Sequence, residues 1–470
     1  MHSMAPHAEP RTGQTDTEQS MPLAPILDER IAHTLATRPA LLFDLLTRYG
    51  SPLNIVWPHA LKKNVDALQA VLNAHHVRSE IYYAAKVNKS RALVRSAVEA
   101  GVGIDVSSVH EFNDAVTAGA TSAHICASGP AKTAVFHRAL ISNGALVSVD
   151  SVEELQELET YCANTPGSRV RVLLRYRPQG SATSRFGMPA PGLLDCLHKI
   201  AQLPECMLFE GFHFHLSGYG HASRVEALRE LVAHIATARR LGLHPRTVDI
   251  GGGLPIRYVE STEYANFLAS QTKKHYRNAS VPGSFYPYGG SIDACGWLQQ
   301  LLAAECVPGL SVAQYLRSQN LTLAIEPGRS LVDQAAISVF RITRVKRLGI
   351  ANYVVFVEGS SFSACETWFA SEFLVDPILV PQPGGPSPVG GHVQAYIAGH
   401  SCLDDDVLTN RIITFPRLPQ AGDLLVFANT AGYQMDLLEN EFHRHPMPRR
   451  IAATYTAAGA IEVSSDDNKE

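Results

Sequence analysis

The sequence predicts an α/β protein: a (β/α)8 TIM barrel followed by an antiparallel β domain. Eight short β-rich segments recur along the first three quarters of the chain, and segments of helical periodicity lie between most of them. Beyond about residue 346, strand-like segments follow one another without helices. Parallel strands need crossover connections, and eight strand–helix units are the number that closes a barrel. A length of 470 residues also favours two domains over a single core.

Each predicted barrel strand ends in polar or glycine residues. Helical spacing of apolar residues is clear in "RALVRSAVEA" and "VEELQELETYCA". A long gap, about residues 254–321, separates the last two strands and is expected to hold extra helices or an insertion over the barrel mouth. The eight strands are predicted in "EIYYAAKVN" (80–88), "GIDVSS" (103–108), "HICASG" (124–129), "LVSVDS" (146–151), "RVRVLLRY" (169–176), "FEGFHFHL" (209–216), "TVDIGGG" (247–253) and "TLAIEPG" (322–328).

Changes in pattern along the chain divide it into four parts. The polar N-terminus is rich in Pro, Gly and Thr, has no apolar core of a signal peptide, and is predicted to be disordered. "SPLNIVW" (51–57) is expected to add a strand to the second domain. The predicted parts are a disordered segment 1–24, a segment 25–57 that joins the β domain, the barrel 58–345 with its insertion, and the β domain 346–462.

Composition excludes several classes of protein. A formal net charge of −4 gives no basis for binding nucleic acid or an anionic membrane, and no apolar run is long enough to span a membrane. The eight cysteines form no CxxC pair, which argues against a metal site and a disulfide scaffold. A cytoplasmic protein with reduced thiols is the expectation.

Polar residues sit where the predicted barrel strands end. In such barrels the active site forms at the C-terminal ends of the strands, so these residues are expected to converge on one mouth. They are Lys86, Asp105, Ser108, Arg175, His215, Gly251, Gly252, Gly253, Glu326 and Arg329.

The residue types at this mouth predict a pyridoxal phosphate site. Burial is expected to lower the pKa of Lys86, so that its neutral amine can form a Schiff base with an aldehyde. The three glycines at 251–253 let the backbone approach a phosphate. Glu326 can pair with a protonated pyridine nitrogen, and His215 can stack on a flat ring.

Each residue also has a structural explanation when it is taken alone. Lys86 could extend along the end of a strand with its amine in water, and His215 could be a satisfied core histidine. Cys402 could be a buried thiol, and the acidic run 404–406 could cap a helix formed by "VLTNRI". Their joint placement at strand ends favours the cofactor site.

At these residues the sequence resembles the fold type III (alanine racemase-like) pyridoxal phosphate enzymes, in particular the ornithine/diaminopimelate/arginine decarboxylases. The resemblance covers roughly residues 40–450 and consists of motifs in family order. These motifs are "YAAKVN", "DVSSVHE", "GPAK", "VDSVEEL", "LLRY", "SRFG", "HFHLSG", "DIGGGLP", "EPGRSLV", "CLDDD" and "GDLLVFANTAGY".

The resemblance implies a role for each matching residue. Lys86 would carry the cofactor as a Schiff base, and Cys402 of the neighbouring subunit would protonate the decarboxylated intermediate. The family pairs two subunits so that each completes the other's site, which implies a homodimer. Glu111 would support the residues around the ring. The implied cofactor-binding set is Lys86, Asp105, Arg175, His215, Ser217, Gly251, Gly252, Gly253, Glu326, Gly328, Arg329 and Tyr433.

The sequence departs from the family pattern at three places. Ser217 and Gly218 stand in reversed order, and Arg185 replaces the usual lysine of "SRFG". Leu403 follows Cys402 where the family commonly has an acid. The implied substrate is an amino acid with a distal amine or zwitterionic end, of the diaminopimelate, ornithine or lysine kind. Its expected contacts are Glu358, Asp406, Arg329 and Tyr433.

Two other functions stay open on the sequence. One is a racemase or epimerase on the same fold, and the other is a cofactor-binding protein without catalysis. Racemases of this fold tend to place an arginine opposite the ring nitrogen, so Glu326 favours decarboxylation.

Overall fold

The computed structural model describes residues 20–285, 288–349, 352–363, 373, 375–385, 391–437 and 442–466. The described chain forms a closed parallel barrel and a separate, mostly antiparallel sheet, which confirms the predicted fold class. Of the segment 1–24 that is predicted to be disordered, residues 1–19 lie outside the described residues, as do parts of "PQPGGPSPVGG" (381–391). Residues 20–24 are described, and the prediction is wrong at Leu23, which is fully buried.

The elements fall in the following order along the chain. The helices are α1 Glu29–Thr37, α2 Pro39–Tyr49, α3 Pro58–Ala74, α4 Arg91–Glu99, α5 Val109–Thr117, α6 Ala134–Asn143, α7 Val152–Asn164, α8 Ala190–Ala201, α9 His221–Arg240, α10 Ser261–Ser270, α11 Ala294–Ala303 and α12 Val312–Ser318. The strands are β1 Leu53–Val56, β2 Ser79–Ala84, β3 Gly103–Val106, β4 Ile125–Ala127, β5 Leu146–Val149, β6 Val170–Arg175, β7 Met207–His213, β8 Thr247–Asp249, β9 Glu305–Val307, β10 Leu310–Ser311, β11 Thr322–Ile325, β12 Ala336–Arg347, β13 Asn352–Val357, β14 Ile378–Val380, β15 Val393–Ala398, β16 Val407–Phe415, β17 Leu424–Ala428, β18 Arg449–Tyr455 and β19 Ile461–Ser465.

The barrel closes in the order β11-β2-β3-β4-β5-β6-β7-β8, with every pair parallel. Its strands are buried on both faces, as parallel strands between helices and a packed interior must be. Several strands lead into a helix through the same turn, in which a hydroxyl oxygen accepts the N–H three residues on. The capping residues are Ser90, Ser108, Thr133 and Ser151. These capped turns fix four of the eight C-terminal strand ends at the mouth.

The long segment between β8 and β11 folds onto the barrel. It contains α10, α11, α12 and the small β9–β10 hairpin. Trp297 of α11 is buried, and its Nε1 donates to the backbone oxygen of Tyr219 at 2.7 Å. The segment therefore supports the loop that follows β7, next to the mouth.

The second sheet runs in the order β16-β15-β13-β12-β1-β18-β19, with β17 pairing β12 and β14. One prediction about this region is corrected, and one alternative is ruled out. The sheet is not wholly antiparallel, because β1 pairs β18, and β13 pairs β15, in parallel. "VLTNRI" is not a helix but the start of β16, whose alternating buried and half-buried residues pair with β15. The early strand β1 crosses into this sheet, and β12 begins at Ala336.

Asp28 attaches the N-terminal helix to the barrel. Its carboxylate caps α1, accepting the N–H of Arg30 at 3.0 Å, and also meets His59 Nε2 at 3.0 Å and Lys63 Nζ at 3.2 Å on α3. The hydrogen bond from His59 is the main reason that the pKa of Asp28 lies below its usual range. None of the described helices combines the length and apolar character needed to cross a membrane.

The replacement Asp28→Asn tests this attachment. Asparagine caps helices as well as aspartate does, so the change removes the charge and keeps the cap. A carboxyl group with a lowered pKa stabilises the fold above its unfolded pKa, and the contribution is lost as the pH falls. We expect the variant to lose about 1–2 kcal/mol of unfolding free energy at pH 7, and this difference to shrink below about pH 4. Urea unfolding at several pH values measures it, with exposed Asp44→Asn on α2 as control. A pH-independent difference would contradict the account.

Candidate active site

The polar strand ends meet at the barrel mouth, around two adjoining cavities of about 290 and 470 Å³. Lys86, His215, Leu216 and Ser217 line both cavities. The smaller cavity is also lined by Gly252, Gly253, Glu326, Gly328, Arg329 and Tyr433. The larger is also lined by Ser107, Ser128, Lys132, Arg175, Ser181, Ser184 and Phe186. Lys86 thus lies at the junction of a glycine-rich cavity and a serine-rich one.

Lys86 follows strand β2, and its Nζ lies 3.4 Å from Asp105 Oδ2 at the end of β3. Asp105 is buried, and its Oδ1 accepts the N–H of Ser128 at 3.2 Å. The prediction that burial gives Lys86 a lowered pKa is wrong. Burial does act in that direction, but the carboxylates of Asp105 and Glu326 outweigh it and raise the pKa of Lys86 above its usual range. The amine therefore carries a proton that it must lose before it attacks an aldehyde.

Glu326 lies at the centre of the mouth with its carboxylate fully buried. His215 Nδ1 lies 3.3 Å from Glu326 Oε2, and His213 Nε2 lies 3.6 Å from Oε1. Burial alone would raise the pKa of Glu326, but the two histidines and Lys86 hold it below its usual range. Oε1 has no hydrogen-bond partner among the described residues, so it can accept one.

The Nδ1 atom of His215 can form either of two hydrogen bonds. Its Nδ1 lies 3.3 Å from both Glu326 Oε2 and the backbone nitrogen of Gly252. If Nδ1 carries a proton, it donates to the carboxylate of Glu326; if Nδ1 carries a lone pair, it accepts the N–H of Gly252. The two hydrogen bonds therefore need opposite tautomers of His215. Either way, the ring of His215 is held beside the glycine turn and Glu326.

The glycine turn after β8 has no room for side chains. Gly251 has a φ of +67°, and a Cβ there would lie 2.6 Å from His215 Nδ1. A Cβ at Gly252 would lie 2.6 Å from the Glu326 backbone oxygen, and one at Gly253 would lie 2.8 Å from the Gly218 oxygen. Asp249 Oδ1 accepts the Gly251 N–H at 2.8 Å and holds the turn. Bare backbone thus lines one end of the smaller cavity.

Arg224, which the sequence prediction missed, joins the loops around this cavity. It is fully buried on α9, and its Nη2 donates to the backbone oxygens of Leu216 at 2.8 Å, Gly218 at 2.7 Å and Gly252 at 3.3 Å. Burial lowers the pKa of Arg224 to about 10. A signal was present: Arg224 shares a helix face with buried Leu228 and Leu231, where an arginine is unusual.

Arg329 and Tyr433 close the smaller cavity from the side of the second domain. Arg329 Nη1 donates to Tyr219 Oη at 3.0 Å, and its guanidinium lies 4.5 Å from the centre of the Tyr433 ring. Tyr433 has a φ of +71°, and its backbone N–H donates to the Val87 oxygen at 2.8 Å. This bond attaches the segment after β17 directly beside Lys86. Gly328 lies beneath, where a Cβ would be 3.6 Å from Tyr433 Oη.

Arg175 lines the larger cavity but is already paired. Its Nη1 lies 2.8 Å from Asp150 Oδ1, and Asp150 also accepts the Gly187 N–H. Lys132, buried behind it, donates to Glu154 Oε1 at 2.8 Å. The sequence prediction missed Asp150 and the buried ion pair between Lys132 and Glu154. All three residues stand in the quoted motifs "VDSVEEL" and "GPAK". Glu111 accepts the N–H of Ser107 at 2.6 Å and so fixes the turn just after Asp105.

Apart from Tyr433, the predicted residues of the second domain do not line these cavities. Cys402 is exposed, and its backbone N–H donates to His443 Nε2 at 3.2 Å; Leu403 beside it is exposed too. Asp406 is buried and accepts three hydrogen bonds: from Ser361 N at 2.7 Å, Ser361 Oγ at 3.0 Å and Ser401 N at 3.1 Å. Glu358 is half-exposed, 3.8 Å from Arg341 Nε.

The fold and mouth can be compared with known proteins. The family described as pyridoxal-dependent decarboxylase, pyridoxal binding domain, matches residues 60–283. The uncharacterized protein y4yA of Sinorhizobium fredii is 54% identical over 94% of this chain and 96% of its own length. Diaminopimelate decarboxylase of Zymomonas mobilis is 25% identical over 85% of this chain and 87% of its own.

This chain belongs to the pyridoxal-dependent decarboxylase family. Its fold agrees: diaminopimelate decarboxylase from M. jannaschii superposes with a TM-score of 0.70 at 18% identity, covering 91% of each chain. The resemblance inferred from the motifs is therefore confirmed, as is pyridoxal phosphate as the cofactor of the family.

The decarboxylase-family cofactor fits the mouth on three observations. An amine, Lys86, stands at the junction of the cavities. The buried carboxylate of Glu326 has acceptor capacity to spare, because Oε1 makes no hydrogen bond among the described residues and a carboxylate oxygen can accept more than one, which suits a protonated ring nitrogen. Gly252 and Gly253 present bare backbone to the smaller cavity, with no side chain between that backbone and a bound phosphate.

The replacement Gly251→Ala tests the cradle. Its Cβ would press on His215, so the turn or the ring must shift. We expect the dissociation constant for pyridoxal phosphate to rise about tenfold or more. Gly242→Ala is the matched control: Gly242 has a φ of +80° but no atom within 4 Å of a Cβ, so it adds similar backbone strain without the contact. Titration of cofactor-free protein followed by fluorescence measures both. Equal affinities in the two variants would contradict a phosphate cradle at 251–253.

Proposed function

We propose that this chain is a pyridoxal phosphate-dependent amino acid decarboxylase acting on a substrate with a distal amine or zwitterionic end. The observation that carries the proposal is Glu326, a buried carboxylate held ionised beside the cofactor lysine. An anion at this position keeps a proton on a pyridine nitrogen and so strengthens the ring as an electron acceptor. Loss of a carboxylate from Cα needs such an acceptor.

The residues of the mouth have separable tasks. Pyridoxal phosphate, when bound, supplies an aldehyde that takes an amine and a ring that withdraws electrons. Lys86 would hold the aldehyde end, Glu326 would meet the ring nitrogen, and His215 would lie on the ring face. The backbone at 251–253 and Gly328 would hold the phosphate. Asp105, whose pKa is raised by burial and by Glu326, is placed to take the proton that Lys86 must give up.

The alternative functions account for less. A racemase of this fold is expected to keep the ring nitrogen unprotonated, whereas the ionised Glu326 favours a proton there. A protein that only binds the cofactor has no need for the charged contacts that tie Lys86 to Asp105 and Glu326. Decarboxylation uses every one of these features.

Substrate recognition is proposed to depend on Glu358, which does not line the cavities of its own subunit and would act on the substrate of a partner copy. Asp406 already accepts three hydrogen bonds inside its own domain, which leaves it little capacity for a substrate amine. Glu358 is half-exposed, and its 3.8 Å contact with Arg341 is loose, so it can turn towards an ammonium group. Exposed Leu403 offers that group no charge.

Catalysis is proposed to need two copies of the chain. Cys402 is exposed and does not line the cavities around Lys86, so Cys402 would have to reach this site from a partner subunit. A head-to-tail homodimer supplies it. The seven cysteines that the structure describes are free thiols, which suits the reducing cytoplasm that we propose as the location.

A substrate panel tests the activity. Wild-type protein with pyridoxal phosphate should release carbon dioxide from one of diaminopimelate, ornithine or lysine. Lys86→Ala should be slower by about 10³-fold or more, and borohydride should no longer link the cofactor to the chain. Exposed Lys89→Ala is the matched control. Change of chirality without carbon dioxide would indicate a racemase, and neither signal would indicate binding alone.

Glu358→Gln extends the panel to specificity. The change should raise KM for substrates with a distal ammonium by about tenfold, and leave KM for neutral amino acids within about twofold. A preference of the wild type for an apolar or acidic amino acid would contradict the proposed substrate class.

Mixed dimers test the shared site. Lys86→Ala and Cys402→Ala should each be nearly inactive alone. Random pairing of equal amounts should restore about a quarter of wild-type activity, because half the dimers then contain one site with both wild-type residues. Two differently tagged copies report subunit exchange. Complete exchange without recovery would place Cys402 outside a site shared in this way.

A further inference from the structure

His213 is a fully buried histidine between two polar groups of the barrel. It ends strand β7, and its Nδ1 lies 2.6 Å from Ser148 Oγ of β5. Its Nε2 points to Glu326 Oε1 at 3.6 Å, and neither of these two atoms has a hydrogen-bond partner among the described residues. The three side chains thus form a row, Ser148–His213–Glu326, inside the barrel below the mouth.

The chemistry of the row selects one tautomer of His213. Burial keeps the pKa of His213 well below its usual value, so the ring is neutral and carries a single N–H. If that proton were on Nδ1, the lone pair of Nε2 would face a buried carboxylate, and the two would repel each other. With the proton on Nε2, the ring presents a donor to Glu326, and Nδ1 accepts the hydroxyl proton of Ser148.

Ser148 is itself held in place from behind. Its backbone oxygen accepts Lys132 Nζ at 2.7 Å, and the same ammonium group contacts the Gly129 oxygen at 2.9 Å and Glu154 Oε1 at 2.8 Å. His137 Nε2 meets the same oxygen of Glu154 at 3.0 Å. The serine hydroxyl therefore stands on a strand whose position is fixed by buried charges.

We propose that Ser148 and His213 are positioning residues that hold Glu326 as the anionic partner of the cofactor ring nitrogen. The inference rests on the proposed function, in which Glu326 meets that nitrogen. Ser148 fixes the tautomer of His213, and the Nε2–H of His213 stabilises the charge on Glu326 from the side away from His215. Partners of this kind, one step removed from the reacting group, commonly change activity by 10–100-fold when removed.

Pyridoxal phosphate labelled with ¹⁵N in the ring tests the row by NMR on the intact holoenzyme. The ¹⁵N resonance reports directly whether the ring nitrogen carries a proton. Ser148→Ala should shift it towards the unprotonated value and lower kcat about tenfold with little change in KM. His213→Phe should do the same more strongly. Ser148→Cys, which keeps a weak donor, should give an intermediate shift.

A control variant and a double variant distinguish a positioning role from a general disturbance of the fold. Ser96→Ala removes another buried hydroxyl, which donates to the Pro58 oxygen on the outer side of the barrel, and should leave the resonance unchanged. The double variant Ser148→Ala/His213→Phe should match His213→Phe alone, because Ser148 acts through the ring.

The outcomes also separate this inference from the proposed function. A wild-type resonance in both Ser148→Ala and His213→Phe would overturn the inference, as would additive effects in the double variant. If no amino acid is decarboxylated, the proposed function fails. The NMR measurement on the wild type and the variants still tests whether Ser148 and His213 position Glu326.

Discussion

The structure of the mouth depends on one constraint, which is a charged carboxylate buried at the centre of the barrel. Removing the charge of Glu326 from water is costly, and Asp105 and Asp249 lie close enough to add repulsion. His213, His215 and Lys86 face Glu326 and stabilise its negative charge, which offsets this cost. Burial and Glu326 together raise the pKa of Asp105, whereas the carboxylates raise the pKa of Lys86 against the effect of burial. The acid, the amine and the central anion therefore depend on one another.

The phosphate end of the site follows a different principle, in which backbone takes the place of side chains. The turn at 251–253 excludes every Cβ, and neighbouring backbone oxygens converge on the buried guanidinium of Arg224. Arg224 thereby joins the loops after β7 and β8, two strands that pair directly in the barrel. Because Arg224 fixes this turn, its backbone can donate N–H groups to a ligand, although the turn itself contains no cationic side chain.

The second domain contributes Tyr433 to the mouth, whereas its other predicted site residues lie outside the cavities. The Tyr433 N–H bonds the backbone beside Lys86, whereas Cys402, Leu403 and Glu358 stand exposed or half-exposed. Exposed groups of this kind can act on a neighbouring copy, as the dimer proposal requires. Asp406 differs from them, since its hydrogen bonds hold the turn that carries Cys402 in place.

The sequence by itself determined the eight strands, their helices and the residues at the strand ends, because period, capping and the parallel-barrel rule are local or topological properties. It also indicated the cofactor, since lysine, glycines and glutamate at those ends have few joint explanations. Only the tertiary structure decided the protonation of Lys86: burial and opposing charges act in opposite directions, and their balance depends on the distances to Asp105 and Glu326. It likewise decided that "VLTNRI" is a strand, and that Arg224 and His213 serve the site, because their partners are far away in the chain.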